Sequence, residues 1–262
     1  MSSDPPPWRG FTFPLNVFMH ILMHEEGAVR YLHYGLFEHE EDALLAAQER
    51  STELLLSRLP PQPAKLLEVG IGLGTTLARL LALGYEVEGI TPDEHQIALF
   101  RERYGSLPVR CAAFETFDAD RTYDALLFQE SSQYIDSGAL FARAAALAPR
   151  VIVLDEFARK PLDEEGALHS LAGFVEAASR HGFRVVEELD LSSKAAPTMD
   201  YFTDRIPASR ERLIADLGIT NEQIEHLIEN GVKYRARYAD GTYGYWLLSF
   251  WGAGFQPAHR AG

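Results

Sequence analysis

Three glycines that alternate with other residues stand directly after a short apolar segment that carries one acid. The segment from Lys65 to Val69 is apolar apart from its first residue and Glu68, and Gly70, Gly72 and Gly74 follow it. Glycines at this spacing allow a tight turn and a close approach of the backbone to a ligand. The free N–H groups of a following helix point at the same place. The pattern therefore predicts the binding of a carboxylate, a ribose or a phosphate.

The residues around these glycines complete a strand, a glycine loop, a helix and a second strand. Apolar residues recur at helical spacing from Thr75 to Leu83, and Tyr85 to Ile90 is a second apolar run. A dinucleotide fingerprint has a third glycine at the position that Thr75 occupies here. The pattern E-x-G-x-G-x-G instead resembles motif I of class I S-adenosylmethionine-dependent methyltransferases. An NAD site, and a turn that binds nothing, are the alternatives.

The resemblance implies an α/β, Rossmann-like class I methyltransferase fold. Its sheet would have seven mostly parallel strands, with N-terminal helices and a helical lid insertion before the last strand. We expect one compact domain with four segments: an N-terminal helical lid (1–60), an S-adenosylmethionine-binding core (61–191), an acceptor-lid insertion of two or three helices (192–240), and a last strand with a tail (241–262). Periodicity also predicts helices from Pro14 to Gly27, from about Asp42 to Pro60, and from Asp163 to His181.

A second resemblance lies upstream of the glycines. The sequence LHYG at residues 32–35, followed by an aromatic residue and acids, resembles the LHxGYWE segment of a group of small-molecule methyltransferases. That group includes the rebeccamycin-type sugar methyltransferases and, more distantly, the tocopherol methyltransferases and mycolic acid cyclopropane synthases. There the segment folds over the cofactor with an aromatic hydroxyl near its carboxylate. This implies that role for Tyr34, with His33 beside it as a candidate base; a tyrosine packed under a helix is the alternative.

Cofactor residues are also implied after the second strand. Thr91 stands where an acid usually accepts the ribose hydroxyls. The stretch GITPDEHQI resembles the variant in the same group in which a Ser or Thr ends the strand and a Gln follows five residues later. The resemblance therefore implies cofactor contacts for Thr91 and Gln96, whereas Asp93 is expected to cap the next helix.

The loop after the third strand holds the adenine in this group. Ala113, Phe114 and Glu115 are similar to the G-W-E series of the cyclopropane synthases, which implies that the ring of Phe114 stacks on adenine and that Ala113 lies against it. Phe117 is expected to be a core residue. We expect Gln129, at the end of the fourth strand, to bind the cofactor as well.

The loop QESSQYID follows the fourth strand and resembles the E-S-x-x-H-H-x-x-D loop of the group. The matching positions are Glu130, Ser131 and Asp136, whereas Gln133 and Tyr134 replace the two histidines. Ligands of a doubly wound sheet bind beyond the carboxyl ends of its strands, so this loop should face the transferred methyl group. Histidine can take a proton near neutral pH, but glutamine cannot titrate and the reference pKa of tyrosine is about 10. The base therefore comes from elsewhere or none is needed, and the candidate catalytic residues are Glu130, His33 and Tyr134.

Composition excludes several classes of partner. The formal net charge of -14 disfavours a nucleic-acid backbone or an anionic membrane. Cys111 is the only cysteine, so no intrachain disulfide is possible, and the N-terminus lacks a signal pattern. The apolar run from Phe11 to Met23 is too short and too interrupted to span a bilayer. These features predict a cytoplasmic monomer or homodimer. No metal site is expected, because His20 and His24 lack a third ligand at a recognisable spacing.

The predicted function is S-adenosylmethionine-dependent methyl transfer to a small-molecule acceptor of the natural-product or specialised-metabolite type. The reaction would be an in-line displacement in a closed site, with an acceptor that is already nucleophilic, such as an amine, a carboxylate or a stabilised carbanion. An NAD-linked oxidoreductase is one alternative. A non-catalytic protein that binds S-adenosylmethionine is the other, suggested by Thr91, Gln133 and Tyr134.

Overall fold

The computed structural model of the protein describes residues 7–39, 41–162 and 168–253. Contacts group the chain into two compact units, where the sequence pattern predicts one compact domain. The first unit comprises Met1–Leu54 and Leu191–Gly244, and the second comprises Leu55–Asp190 and Tyr245–Gly262. The second unit contains the glycine loop and nearly the whole sheet.

Seven strands form one sheet in the order β3-β2-β1-β4-β5-β7-β6. The strands are β1 (Lys65–Val69), β2 (Glu86–Thr91), β3 (Val109–Cys111), β4 (Ala125–Gln129), β5 (Arg150–Ala158), β6 (Phe183–Asp190) and β7 (Tyr243–Gly252). The pairs β1–β2, β1–β4, β2–β3 and β4–β5 are parallel, whereas β6 and β7 are antiparallel. The predicted seven-stranded, mostly parallel sheet and its Rossmann-like fold are thus confirmed.

Ten α-helices occur in the described residues. They are α1 (Leu15–Glu26), α2 (Leu44–Leu56), α3 (Thr75–Ala82), α4 (Glu94–Tyr104), α5 (Ser137–Leu147), α6 (Leu171–Arg180), α7 (Ser192–Ala195), α8 (Pro197–Ala208), α9 (Arg210–Leu217) and α10 (Asn221–Ala239). The helix α6 is shorter than the predicted helix 163–181, of which residues 163–167 lie outside the described residues. The insertion holds four helices rather than two or three, because a single turn, α7, precedes α8.

The core of the second unit packs around the parallel strands whose carboxyl ends lie at one edge of the sheet. Strands β4 and β5 are almost continuously buried, as parallel strands covered on both faces must be, and the apolar run of β5 is interrupted by the buried acids Asp155 and Glu156. Aromatic side chains fill the space between the sheet and the helices; they include Phe128, Phe141, Phe157, Phe174, Phe250 and Trp246. The parallel strands present their carboxyl ends to one edge, where the glycine loop lies.

In the first unit, α1 ends at Gly27 in the left-handed conformation, as predicted. The Tyr201 hydroxyl of α8 donates a hydrogen bond to Glu26 Oε1 at 2.9 Å, which ties α8 to the end of α1. No helix in the described ranges is both long and apolar enough to cross a bilayer.

Candidate functional site

The glycine loop joins β1 to α3 through backbone conformations that favour glycine. Gly70, Gly72 and Gly74 have φ values of 80°, 52° and 77°. A Cβ atom at Gly70 would lie 2.5 Å from Cβ of Ser131, and one at Gly74 would lie 2.0 Å from Cδ2 of Phe100. Both contacts are far too short. The backbone must therefore be bare at these two positions. The N–H groups of Gly70 and Gly74 themselves donate to the carbonyls of Ile90 and Ile71, so the N–H groups at the start of α3 are the ones that can meet an anionic or polar ligand.

Glu68 is the next-to-last residue of β1 and is only 4% exposed. Its Oε2 atom has no hydrogen-bond partner among the described residues. Burial raises the pKa of this carboxyl to about 8. A buried carboxyl without a partner is costly, and a ligand group that donates to it or carries a positive charge would lower that cost.

Thr91 ends β2 and is bonded within the protein. Its hydroxyl donates to Gln96 Oε1 at 2.9 Å and accepts from the Asp93 N–H at 3.3 Å. Asp93 caps α4 as predicted, because its side chain accepts from the N–H groups of residues 95 and 96. The Thr91 hydroxyl thus orients the Gln96 amide, and the cofactor contacts of Thr91 and Gln96 stay predictions.

Phe114 does not present an open ring face. The side chain is 2% exposed and packs edge-to-face against Phe128, with ring centroids 5.3 Å apart. The stacking of adenine on Phe114 stays a prediction, which this burial disfavours. Ala113 is half-buried and stays a candidate wall for adenine, and Phe117 is buried as expected.

The loop after β4 brings several polar groups to the carboxyl edge of the sheet. Gln129 accepts a hydrogen bond from the Thr76 hydroxyl of α3 at 3.3 Å, so it lies beside the start of that helix. Glu130 has φ of 53° and accepts a hydrogen bond from the Tyr245 hydroxyl at 2.7 Å. The Ser131 hydroxyl donates to the Val69 carbonyl at 2.5 Å, which fixes this loop against β1.

Asp155 on β5 anchors the same loop from the other side. Its Oδ2 atom accepts hydrogen bonds from the Ser132 N–H at 2.9 Å, the Ser132 hydroxyl at 2.6 Å and the Gln133 N–H at 3.3 Å. Burial raises the pKa of Asp155 to about 6, although these hydrogen bonds favour the ionised form. Tyr134 follows in the same turn, and its side chain is 80% exposed. The loop backbone is therefore fixed while the Tyr134 phenol is accessible.

The two candidates in the first unit are engaged within that unit. His33 Nδ1 donates to the Tyr34 carbonyl at 2.9 Å, so Nε2 accepts from the Thr52 hydroxyl at 3.0 Å. Burial lowers the pKa of His33 to about 4. The role of His33 as a general base stays a prediction, which these contacts disfavour because its only ring lone pair is occupied and weakly basic. The Tyr34 hydroxyl donates to Met199 Sδ at 2.7 Å, a weak acceptor, and its predicted cofactor contact stays a prediction.

A histidine pair in the first unit has a third neighbour that sequence spacing did not indicate. Ligand atoms of His20, His24 and Asp216 all lie within 4.8 Å of one another. The Trp8 indole N–H donates to His20 Nδ1 at 3.2 Å, which places the ring proton on Nε2, 3.1 Å from Asp216 Oδ2. A metal-bound histidine needs the opposite arrangement, a free Nε2 lone pair and a donating Nδ1–H. This donor set does not fit a metal ion.

Two groups at the carboxyl edge were not assigned a role from the sequence, the Asp155 carboxylate and the Thr76 hydroxyl. Asp155 directly follows the apolar run from Val151 to Leu154, which predicts a strand, and this was the one available signal, since acids at that edge often reach a ligand or a loop. Tyr245 is one of several tyrosines near the end of the sequence that are candidate lid or wall residues, but the sequence indicates no role for its hydroxyl. Nothing in the spacing of the tyrosines distinguishes Tyr245 from its neighbours in the aromatic last strand.

Comparisons with known proteins agree with this geometry. Residues 67–151 match the model of the family described as "Methyltransferase domain". Three solved structures share the fold over nearly the whole chain. The [4+2]-cyclase SpnF is 21% identical with a TM-score of 0.75, and the alignment covers 97% of this chain and 99% of that one.

The other two are cyclopropane synthases. MmaA2 from Mycobacterium tuberculosis is 18% identical with a TM-score of 0.77, over 95% of this chain and all of that one. The mycolic acid cyclopropane synthase CmaA1, complexed with S-adenosylhomocysteine, is 20% identical with a TM-score of 0.76, over 95% of this chain and all of that one. The match over residues 67–151 includes the glycine loop and the strands around it, and the likeness to the three structures shows that the chain shares their fold.

Proposed function

We propose that this protein transfers the methyl group of S-adenosylmethionine to a small-molecule acceptor. The observation that carries the proposal is Glu68, a buried carboxyl whose Oε2 has no hydrogen-bond partner in the described part of the chain and which lies at the end of β1 beside the bare backbone of the glycine loop. A cationic amine of the cofactor would give this carboxyl a charge partner, which the described residues do not provide. The residues present therefore fit the cofactor.

Three groups of the second unit would hold the cofactor. The start of α3 offers N–H groups, Glu68 offers a carboxyl, and Gln96 and Gln129 offer side-chain amides whose orientation Thr91 and Thr76 fix. Such a set recognises a zwitterionic amino acid and a ribose. An NAD site is disfavoured by the match to a methyltransferase model and by Thr75 in place of the third glycine.

When bound, the cofactor supplies an electrophilic methyl group on a sulfonium. The protein then has to align the nucleophile with that methyl and exclude water, and alignment alone can contribute about 7 to 11 kcal/mol of the barrier. Glu130, at the carboxyl edge, is the candidate to orient the acceptor or take its proton. The exposed Tyr134 phenol is a candidate contact for the acceptor.

The acceptor is proposed to be a nucleophile that needs little activation, such as an amine, a carboxylate or a stabilised carbanion. Gln133 and Tyr134 stand where related loops have histidines, and His33 is too weakly basic to replace them. The net charge of -14 disfavours a nucleic-acid acceptor.

Binding is tested by thermal-shift titration with S-adenosylmethionine, S-adenosylhomocysteine and NADH in parallel. A ligand at about 100 times its Kd adds about 2.7 kcal/mol, so the two adenosyl ligands should raise the unfolding midpoint by about 5 to 10 °C. The Gly70→Ala variant should lose this shift, whereas Gly105→Ala, which has a similar positive φ but open space around it, should keep it. A shift with NADH alone would refute the proposal.

Transfer is then measured as S-adenosylhomocysteine formed from S-adenosylmethionine with a panel of acceptors. The panel holds small amines, carboxylic acids, phenols and unsaturated fatty acids, so that nitrogen, oxygen and carbon acceptors are each represented. Turnover with at least one class supports the proposal. Binding of both adenosyl ligands without turnover on any class would instead favour a protein that binds the cofactor without methylating.

A further inference from the structure

The buried phenol of Tyr245 on β7 bonds to the side chain of Glu130 after β4. The Tyr245 hydroxyl donates to Glu130 Oε1 at 2.7 Å. Glu130 directly follows β4 and Tyr245 lies on β7, and β5 separates these two strands in the sheet. Tyr245 is fully buried, so its ring is held by the core and its hydroxyl has a fixed position. A hydrogen bond of this length to a carboxylate is among the stronger kinds in proteins.

The backbone of Glu130 is also held in place. Its φ of 53° lies in the left-handed region, and Glu130 is the single residue other than glycine with a positive φ in the described ranges. Its N–H donates to the Leu154 carbonyl at 2.9 Å, and the next residue, Ser131, donates to the Val69 carbonyl. Strained conformations of this kind persist where the surrounding structure over-determines them, and they cluster at functional sites.

These contacts fix the Glu130 main chain but leave the direction of a flexible side chain to be set. A glutamate has three side-chain torsions, and ordering them costs about 1 to 2 kcal/mol unless a partner holds the carboxylate. The Tyr245 hydroxyl is one such partner. A carboxylate accepts several hydrogen bonds, so one oxygen can be held by the phenol while the group still acts on an acceptor.

We propose that Tyr245 is a positioning residue for methyl transfer, acting by holding the Glu130 carboxylate in its working direction. This inference rests on the proposed function, because Glu130 is the side chain that would meet the acceptor. It gives a residue of the last strand a role in the reaction, in addition to the glycine motif and the loop after β4. It also predicts that the two residues act as one unit.

A purely structural role for the phenol is the competing explanation, since a buried tyrosine hydroxyl needs a partner in any case. The chain provides a matched control. Tyr123 is likewise buried, and its hydroxyl donates to a carboxylate, Glu88 Oε2, at 2.6 Å, but it precedes β4 at the opposite end of that strand. Tyr123→Phe therefore removes the same kind of hydrogen bond without touching Glu130.

The test compares four variants with the wild-type protein: Tyr245→Phe, Tyr123→Phe, Glu130→Gln and the double variant Tyr245→Phe/Glu130→Gln. Each is assayed for turnover with S-adenosylmethionine and the acceptor class found active in the panel, for cofactor Kd by calorimetry, and for unfolding midpoint. Tyr245→Phe should lower kcat about 10- to 100-fold, as expected when a reacting group is misplaced, with cofactor Kd unchanged. In the Glu130→Gln background the same change should lower kcat less than 3-fold.

Tyr123→Phe should lower the unfolding midpoint about as much as Tyr245→Phe while keeping kcat within 3-fold of wild type. Equal losses of kcat in the two single variants, a normal kcat for Tyr245→Phe, or the same fold-loss in both backgrounds would each overturn the positioning role. These outcomes all require wild-type turnover. A wild-type protein that fails to bind S-adenosylmethionine or to turn over any acceptor would refute the proposed function itself, and the role of Tyr245 with it.

Discussion

Replacing Glu68 with Gln should stabilise the protein, and the gain should grow with pH. The carboxyl is buried and without a partner among the described residues, and its pKa is raised from 4.5 to about 8. Below pH 4.5 it is protonated in the folded and the unfolded state. Between pH 4.5 and 8 only the folded state keeps the proton, so stability is lost progressively as the pH rises through this window.

The magnitude follows from these values. Each pH unit between 4.5 and the pKa of about 8 corresponds to 1.36 kcal/mol, so the cost is about 3 kcal/mol at pH 7 and about 5 kcal/mol above pH 8. Glutamine has nearly the same shape and is neutral at every pH. The free energy of unfolding of Glu68→Gln should therefore exceed that of the wild type by under 1 kcal/mol at pH 5, by about 3 kcal/mol at pH 7 and by about 5 kcal/mol at pH 8.5.

Urea denaturation at these three pH values measures the difference in the free energy of unfolding between Glu68→Gln and the wild type. Each transition is monitored by both tryptophan fluorescence and circular dichroism, so that the curves from the two probes can be compared. Glu88 on β2 is the matched control. It is also buried, but it accepts from the Tyr123 hydroxyl and pairs with Arg110, so Glu88→Gln should destabilise the protein. If the difference between Glu68→Gln and wild type were the same at pH 5 and pH 8.5, the assignment of Glu68 as a buried carboxyl without a partner would be wrong.

Two further substitutions test the backbone of the site. Gly74→Ala should lower the free energy of unfolding by about 1 to 3 kcal/mol more than Gly105→Ala does. Both residues have φ near 75°, but only at Gly74 would the new Cβ collide with Phe100. Equal losses of stability in urea denaturation would contradict the clash. The Glu130→Gly variant should be more stable than Glu130→Ala by about 1 kcal/mol, because φ of residue 130 is 53° and glycine adopts that conformation without strain. The opposite order of stability would show that the conformation is not strained.

Features that depend on neighbouring residues could be predicted from the sequence. The strand, glycine loop and helix from Lys65 to Ala82 follow from local periodicity and from glycines whose positive φ values the chain requires. The cap at Asp93 is equally local, because it involves N–H groups two and three residues away. The boundaries of α1, β1 and β2 agree with the predicted ones to within one residue for the same reason.

Contacts between residues far apart in the sequence could not be predicted. Asp216 joins His20 and His24 only because α9 packs beside α1, and Tyr245 reaches Glu130 from 115 residues away. No spacing rule connects such positions. Phe114 and Phe117 illustrate the same limit, since both are buried although the sequence suggested a ligand-facing role for the first and a core role for the second.

Hydrogen-bond partners within the protein decide which motif residues are available to a ligand. Thr91 and His33 were expected to act directly, yet the Thr91 hydroxyl is committed to Gln96 and the His33 lone pair to Thr52. Breaking such a bond leaves a buried polar group without its partner, at a cost of about 1 to 3 kcal/mol. Glu68 is the reverse case, because none of the residues that the structure describes bonds to its Oε2, and a ligand that donates to this atom would improve its surroundings. Among the predicted cofactor side chains, Glu68 is therefore the one for which two arguments agree. The glycine motif predicts a ligand beside it, and the cost of its burial favours a ligand that carries a hydrogen-bond donor or a positive charge.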